Sequence, residues 1–467
     1  MRIRNQQVSG PTLGPSCAEI VADHRSGTVS PTVTAARVAD AIAEAGDDGT
    51  WLYTVPADDL IAAAAALEQR ADRDTLPLYG VPFGVKDSID VAGVPTTLSC
   101  PDYAYTASTT APAVQRLLDA GALFVGKTNL DQFATGLNGT RTPYTVPRSV
   151  YGDDLISGGS SSGSARAVAL GQVPFAVATD TAGSGRVPAA LNGVIGLKPS
   201  RGLISTVGLV PACRSLDCIT VMARSVDDAD RAFDVMTGRD DRDPWSRDPG
   251  AHFDGHPIRV GLPPDGDLSF FSDDAVAAVH AAVRDRIRAT DDTTPMSLAP
   301  FLAAGELLYQ GPWVAERLVV FGDFLADHPD SIHPVVRDIL RSGAKYTAVD
   351  AFAALARLQE LRAEVGRLFA DVDILVVPTI GTTFTVDEVL AQPIECNTVL
   401  GHYTHFGNLL DLMGVAIPAG ETADGRPTGI TVLAPAGRDD LALHWAARFL
   451  GQTRDHVDSR TAAMVAG

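Results

Sequence analysis

Apolar residues along this chain fall into helix-period and strand-period stretches that follow one another, a pattern that predicts a layered α/β protein. From Ser16 to about Arg70 the apolar spacing and many alanines predict helices. Thr34–Ala45 is one and Asp58–Leu67 another, the latter with an acidic start suited to a helix N-terminus. Tyr79–Val85 is short, apolar and rich in strand formers, so it reads as a strand ending at Lys86. Ala113–Ala120 then reads as a helix, Ala122–Val125 as a strand, Ser164–Leu170 as a helix and Val173–Ala178 as a further strand. Residues 238–257, dense in Asp, Arg, Gly and Pro, read as a long surface connection, after which Ile258–Leu262 resumes a strand. From 274 to about 368 the periodicity is largely helical, a helix-rich region expected on the substrate side. Strands return at Ile374–Val377 and Ile430–Leu433, with a helix after Asp439. No internal repeat interrupts this order. Residues 1–15 are polar and Gly/Pro-punctuated and are expected to be a disordered tail. The folded part is expected over 16–452, and an unpatterned tail over 453–467.

Composition narrows the class. A chain of 467 residues has room for one large α/β domain or two, and 45% hydrophobic with 20% charged residues is ordinary for a globular protein. No apolar run reaches the ~18–20 residues of a membrane-spanning helix, and Met1-Arg-Ile-Arg-Asn lacks the apolar stretch of a secretory signal. A soluble, cytoplasmic protein is the expectation. The net charge of −20 argues against nucleic acid and anionic membrane surfaces as partners. The five cysteines are scattered, neither a disulfide framework nor a zinc-type spacing, and the ten histidines form no His-Glu-x-x-His cluster. Neither metal nor cofactor is expected. Only four residues are lysine (Lys86, Lys127, Lys198 and Lys345), so a lysine in this arginine-rich chain hints at chemistry that arginine cannot do.

The densest chemical signal is Ser157-Gly-Gly-Ser-Ser-Ser-Gly-Ser164. Three readings compete for it. A flexible linker is one, although this stretch leads straight into a helix. A phosphate cradle is another, but the loop lacks both the Gly-Lys-Ser/Thr ending of a P-loop and a Gly-x-Gly-x-x-Gly. The third is catalytic: Gly159-Ser-Ser161-Ser-Gly163 formally matches a Gly-x-Ser-x-Gly nucleophile elbow, yet the preceding Asp153-Asp-Leu-Ile is a poor strand. A second serine is better placed. The apolar run Val173–Ala178 leads directly into Asp180-Thr-Ala-Gly-Ser-Gly-Arg186, which sets Ser184 on a glycine-flanked turn after a core strand.

Taken together, Gly158-Gly-Ser-Ser-Ser-Gly-Ser164, Asp180–Arg186, Gly196-Leu-Lys-Pro-Ser-Arg-Gly202 and Gly80-Val-Pro-Phe-Gly-Val-Lys-Asp-Ser-Ile-Asp90 resemble the amidase signature family, over about residues 20 to 450. The resemblance implies a single α/β domain with a mixed, twisted central sheet covered by helices. It implies Ser184 as nucleophile, Ser160 as bridging serine after a cis peptide bond from Gly159, and Lys86 as base. The backbone N–H groups of Thr181, Ala182, Gly183 and Ser184 are the implied oxyanion donors. This chemistry is coherent, because a serine hydroxyl needs a base and lysine serves as one only when burial keeps it neutral.

Within that family the chain looks most like allophanate hydrolases. The stretches carrying this are Phe133-Ala-Thr-Gly-Leu-Asn-Gly-Thr-Arg141, Tyr309-Gln-Gly-Pro-Trp-Val-Ala-Glu-Arg317 and Gly401-His-Tyr-Thr-His-Phe-Gly-Asn-Leu-Leu-Asp411. The likeness implies a small anionic amide as substrate, its carboxylate held by Tyr309 and Arg317, with Gly136 and Asn138 also lining the site, and a homodimer. Two positions depart from it: Ser88 and His405 each stand where asparagine is expected. Such hydrolases continue into a smaller C-terminal domain, whereas this sequence stops soon after Leu450. A broader amidase or an amidotransferase-type subunit is the alternative enzyme, although the latter carries Gly-Gly-Ser-Ile-Arg where this chain has Gly183-Ser-Gly-Arg. An inactive binding member of the family is the alternative of another class.

Overall fold

Strands and helices alternate as the apolar pattern predicts, and eleven of the strands join in one mixed sheet. The structure is a computed structural model that describes residues 14–250 and 252–454. Most of both predicted tails, residues 1–13 and 455–467, lies outside the described residues. In chain order the strands are β1 (Trp51–Thr54), β2 (Pro82–Lys86), β3 (Pro95–Thr96), β4 (Tyr105–Thr106), β5 (Leu123–Thr128), β6 (Phe175–Asp180) and β7 (Ile195–Lys198). They continue with β8 (Cys218–Ala223), β9 (Arg259–Leu262), β10 (Asp292–Pro295), β11 (Ile374–Pro378), β12 (Leu412–Glu421) and β13 (Pro427–Pro435). β3 and β4 form a small pair of their own, and the rest lie in the order β1-β5-β2-β6-β8-β7-β12-β13-β11-β9-β10. β5, β2 and β6 run parallel, as do β11, β9 and β10, while the pairs between these groups are antiparallel.

The two-residue period of a strand divides β2 and β6 between two cores. Phe83, Val85, Phe175 and Val177 pack one way, with Leu117, Phe233 and Trp445 from the helices Pro112–Asp119, Val226–Met236 and Asp439–Leu450. Ala176 and Ala178 face the other way, against Ala165 and Val168 of the helix Ser162–Ala169. Phe83 pairs with Phe175 in the β2–β6 register, and their rings stack at 5.5 Å. Burying one such ring contributes about 1.5–3 kcal/mol, and a one-residue slip would turn both to the wrong face, so this pair fixes the register. The consequence is functional. Two parallel neighbours in that register carry their C-terminal ends on the same side of the sheet, which places Lys86 beside Thr179, one residue before Asp180.

The structure corrects the sequence reading in several places. The expected strand Tyr79–Val85 begins only at Pro82, because Gly80 turns the chain with φ +73. Residues 274–368 are largely helical, as expected, but they also hold the short strand β10, which the sequence reading did not pick out and which pairs with β9. β1, β7, β8 and β12 escaped the sequence reading. The six residues of β8 are all buried, and a short apolar run buried on both faces shows no alternation to mark it as a strand. Residues 238–257 carry no helix or strand among the described residues.

Candidate active site

Lys86, the last residue of β2, is fully buried at 0% exposure and its Nζ meets three hydroxyls. Ser160 Oγ and Ser161 Oγ each lie at 2.8 Å and Thr179 Oγ1 at 2.7 Å. Burial drives the Lys86 amine down to about 7, against the pull of the Asp131, Asp180 and Asp217 carboxylates. At that value the neutral amine is populated near neutrality. Neutral, it has two N–H donors and one lone pair, so one of the three hydroxyls must donate to it. Ser161 is spoken for, because its hydroxyl donates to the Thr179 carbonyl at 3.1 Å. Ser160 or Thr179 remains as the donor. Ser160 follows a cis peptide bond from Gly159. A Cβ on Gly159 would sit 2.0 Å from Asp131 Oδ2, so only glycine lets this loop close on the Asp131 carboxylate.

The nucleophile-type loop leaves β6 at Asp180 and folds back over it. The Asp180 carboxylate accepts from the N–H groups of Gly183 (2.8 Å), Gly185 (3.1 Å) and Arg186 (3.3 Å), and pairs with the Arg186 guanidinium at 2.9 Å. Burial works to raise the Asp180 carboxyl, but Arg186 and these hydrogen bonds outweigh it and hold it below the usual range. Arg186, the last residue of the Asp180–Arg186 stretch that carries the family resemblance, is thus committed to holding the turn. Gly183 has φ +124, and a Cβ there would lie 2.2 Å from Thr404 Oγ1. Ser161 N–H donates to the Ser184 carbonyl at 3.3 Å, which ties the two serine loops together beside Ser184, itself 3% exposed. Of the four expected oxyanion donors, the Gly183 N–H is already committed to Asp180, which leaves those of Thr181, Ala182 and Ser184 as candidates. With both ions at 0% exposure, Arg186→Met should lower the unfolding free energy by about 3–5 kcal/mol through the carboxylate left unpaired. Denaturant melts check this, and an unchanged midpoint would refute the scaffold role.

Arg317 sits on the helix Trp313–Asp327 and is 2% exposed. Its Nη1 donates to Thr135 Oγ1 at 2.9 Å, and its Nη2 lies 3.4 Å from the Tyr309 hydroxyl. Gly136, next to Thr135, has φ +152, and a Cβ there would meet Asp131 Oδ2 at 2.7 Å. The fully buried Asn138 donates from Nδ2 to Pro393 O at 3.3 Å, while its Oδ1 has no partner among the described residues. Gly159 N–H donates to Leu137 O at 2.7 Å, so residues 135–138 run from Arg317 to the Ser160 loop. His405 packs on Tyr309 with ring centroids 5.1 Å apart. Burial, with Arg186 adding to it, drives its imidazole down to about 3, so it is neutral at any ordinary pH. Ser88 Oγ is buried without a partner among the described residues.

A sequence profile of the Amidase family matches residues 34–443. This chain belongs to the amidase family. It is 42% identical to the urea amidolyase of Lachancea kluyveri over 410 residues, covering 87% of this chain and 22% of that protein. The chain therefore spans about a fifth of the length of that relative. A glutamyl-tRNA(Gln) amidotransferase subunit from Symbiobacterium thermophilum is 31% identical, covering 86% of this chain and 89% of that one. Among solved structures, Kluyveromyces lactis allophanate hydrolase superposes with a TM-score of 0.89 at 39% identity, covering 94% of this chain and 72% of its own.

Several residues of this amidase site were not anticipated. Thr179 on Lys86, Thr135 on Arg317, and the buried Asp131 and Asp217 became visible only with the fold, as did the contact that Ser161, weighed in the sequence as a nucleophile, makes with Lys86. Asp217 accepts from Thr181 Oγ1 at 2.5 Å, and burial pushes its carboxyl up to about 6 against that hydrogen bond and those from Cys213 N–H. The five cysteines are free and buried, and no group of three His, Cys, Asp or Glu residues converges as metal ligands among the described residues. Nor is any described helix long and apolar enough to cross a membrane.

Proposed function

We propose that this amidase hydrolyses allophanate with Ser184 as nucleophile, Ser160 as proton bridge and Lys86 as base. The observation that carries the reading is the buried Lys86 amine at 2.8 Å from Ser160 Oγ, beside the loop that bears Ser184. Likeness to allophanate hydrolase and urea amidolyase supports the choice of substrate. Ser184 Oγ attacks the terminal amide carbonyl, its proton passing to Ser160 as the Ser160 proton passes to Lys86. The oxyanion forms against backbone N–H groups of Thr181, Ala182 and Ser184. Lys86 returns the proton through Ser160 to the leaving nitrogen, ammonia departs, and water cleaves the acyl-enzyme to N-carboxycarbamate. That product loses one carbon dioxide to give carbamate, and loss of a second carbon dioxide from carbamate frees the second ammonia.

Arg317 and Tyr309 hold the substrate carboxylate, with Gly136 and Asn138 lining the approach. A chain at −20 attracts no anion at long range, so a buried guanidinium must supply the local attraction. Among the described residues Arg317 makes two hydrogen bonds with its five N–H donors, which leaves donors for a ligand. The test is ammonia release from allophanate, and in parallel from malonamide and an aryl amide. Arg317→Ala should cost about 10- to 100-fold in kcat/KM on allophanate, the loss of a charge-assisted contact, and little on the uncharged amides. Activity confined to uncharged amides would sink the assignment. The same resemblance carries the expectation of a homodimer, and sedimentation of the purified chain checks it.

A further inference from the structure

Arg317 and the nucleophile loop come from distant parts of the chain, yet one short segment, residues 212–217, is bonded to both neighbourhoods. On one side the Asp217 carboxylate accepts from Thr181 Oγ1 at 2.5 Å, Ala212 N–H at 2.9 Å and Cys213 N–H at 3.1 Å. On the other side Glu316 accepts from Ser215 N–H at 2.8 Å, Ser215 Oγ at 2.6 Å and the Cys213 thiol at 2.9 Å. The segment is braced internally, since Leu216 N–H and Asp217 N–H both donate to Cys213 O at 2.8 and 2.9 Å. Asn408 Nδ2 holds it to the nucleophile loop as well, donating to Leu216 O at 3.0 Å and Asp180 O at 2.8 Å. Adjacent helical residues project about 100° apart, so Glu316 reaches this strap while Arg317 faces the site. With one close protein hydrogen bond of its own, to Thr135, Arg317 takes its position largely from the helix that carries it.

We propose that Glu316 is a positioning residue for substrate specificity: through residues 212–217 it fixes Arg317 at a set distance from the nucleophile loop. It thereby brings the carbonyl of a carboxylated amide onto Ser184. The inference rests on the reading of Arg317 as the partner of the substrate carboxylate. Loosening the strap leaves Arg317 able to hold a carboxylate but lets the carbonyl fall out of line, a misplacement of the kind that costs about 100-fold when it reaches 1 Å.

Malonate, a simple carboxylate probe, separates holding from aligning. Glu316→Gln keeps the size but replaces one acceptor oxygen with a donor that faces other donors. It should lower kcat on allophanate by about 10- to 100-fold while the inhibition constant for malonate moves less than about threefold. Ser215→Ala, a milder variant that keeps the fold, should lower kcat several-fold by the same route. The double variant should be no worse than Glu316→Gln alone, because both changes cut one contact. Unchanged kcat in Glu316→Gln and Ser215→Ala, or parallel losses in kcat and malonate affinity, would overturn the strap. Arg317→Ala is the separate control: an unchanged malonate constant there would overturn the carboxylate reading itself.

Discussion

Replacing Ser184 by alanine is expected to cut ammonia release by on the order of 10⁴- to 10⁶-fold while leaving the unfolding free energy within about 1 kcal/mol of the parent. The two halves of this expectation come from different atoms. The turn that presents Ser184 is held by the Asp180 carboxylate, through the N–H groups of Gly183, Gly185 and Arg186 and the guanidinium of Arg186. The Ser184 hydroxyl is not among these bonds, so deleting it removes the nucleophile and leaves the support in place. Turnover and thermal melts on one preparation check both halves. Surviving activity would move the nucleophile to another serine, with Ser160 the first alternative, since the Ser161 hydroxyl is committed to the Thr179 carbonyl.

What the sequence made legible follows a physical line. β6 was readable because its apolar run passes straight into Asp180-Thr-Ala-Gly-Ser184, which marked Ser184 over the formal elbow match at Ser161. Ser161 nevertheless touches Lys86, so the weaker motif match lies against the same candidate site. The scarcity of lysine drew attention to residues with an unusual setting: Lys86, Lys127 and Lys198 are all fully buried. It did not separate their tasks, because Lys127 pairs with Asp87 at 3.1 Å whereas Lys86 meets only hydroxyls. Partners brought from far along the chain were illegible. Nothing near Arg317 in sequence points to Thr135, and nothing near Thr181 points to Asp217, since these contacts exist only once strand order is set. β12 was missed although it lies in the middle of the sheet, where burial on both faces removes the alternation that would reveal it.

Removal of the Lys86 amine should be nearly as damaging as loss of the nucleophile. Lys86→Ala is expected to lower kcat by on the order of 10⁴-fold, the scale of losing a general base that works through a relay. A merely electrostatic Lys86 predicts otherwise for Lys86→Arg, which keeps the charge and the donors. Arginine stays protonated and cannot accept a proton, so the relay reading has Lys86→Arg as inactive as Lys86→Ala. The pH profile carries the same distinction. With the amine down at about 7, the fraction able to accept a proton rises with pH, from about one-tenth at pH 6 to about nine-tenths at pH 8. The parent kcat/KM on an uncharged amide should therefore rise about tenfold over that window and level off above it. A purely electrostatic ammonium gives the opposite slope, highest where Lys86 is fully charged. Activity that falls through pH 6 to 8, or a Lys86→Arg chain with near-parent turnover, would refute Lys86 as the base. If the slope rises as expected, its midpoint reports how far burial has outweighed the attraction of Asp131, Asp180 and Asp217. Asp131→Asn, which removes one of those charges, should then shift the midpoint to lower pH.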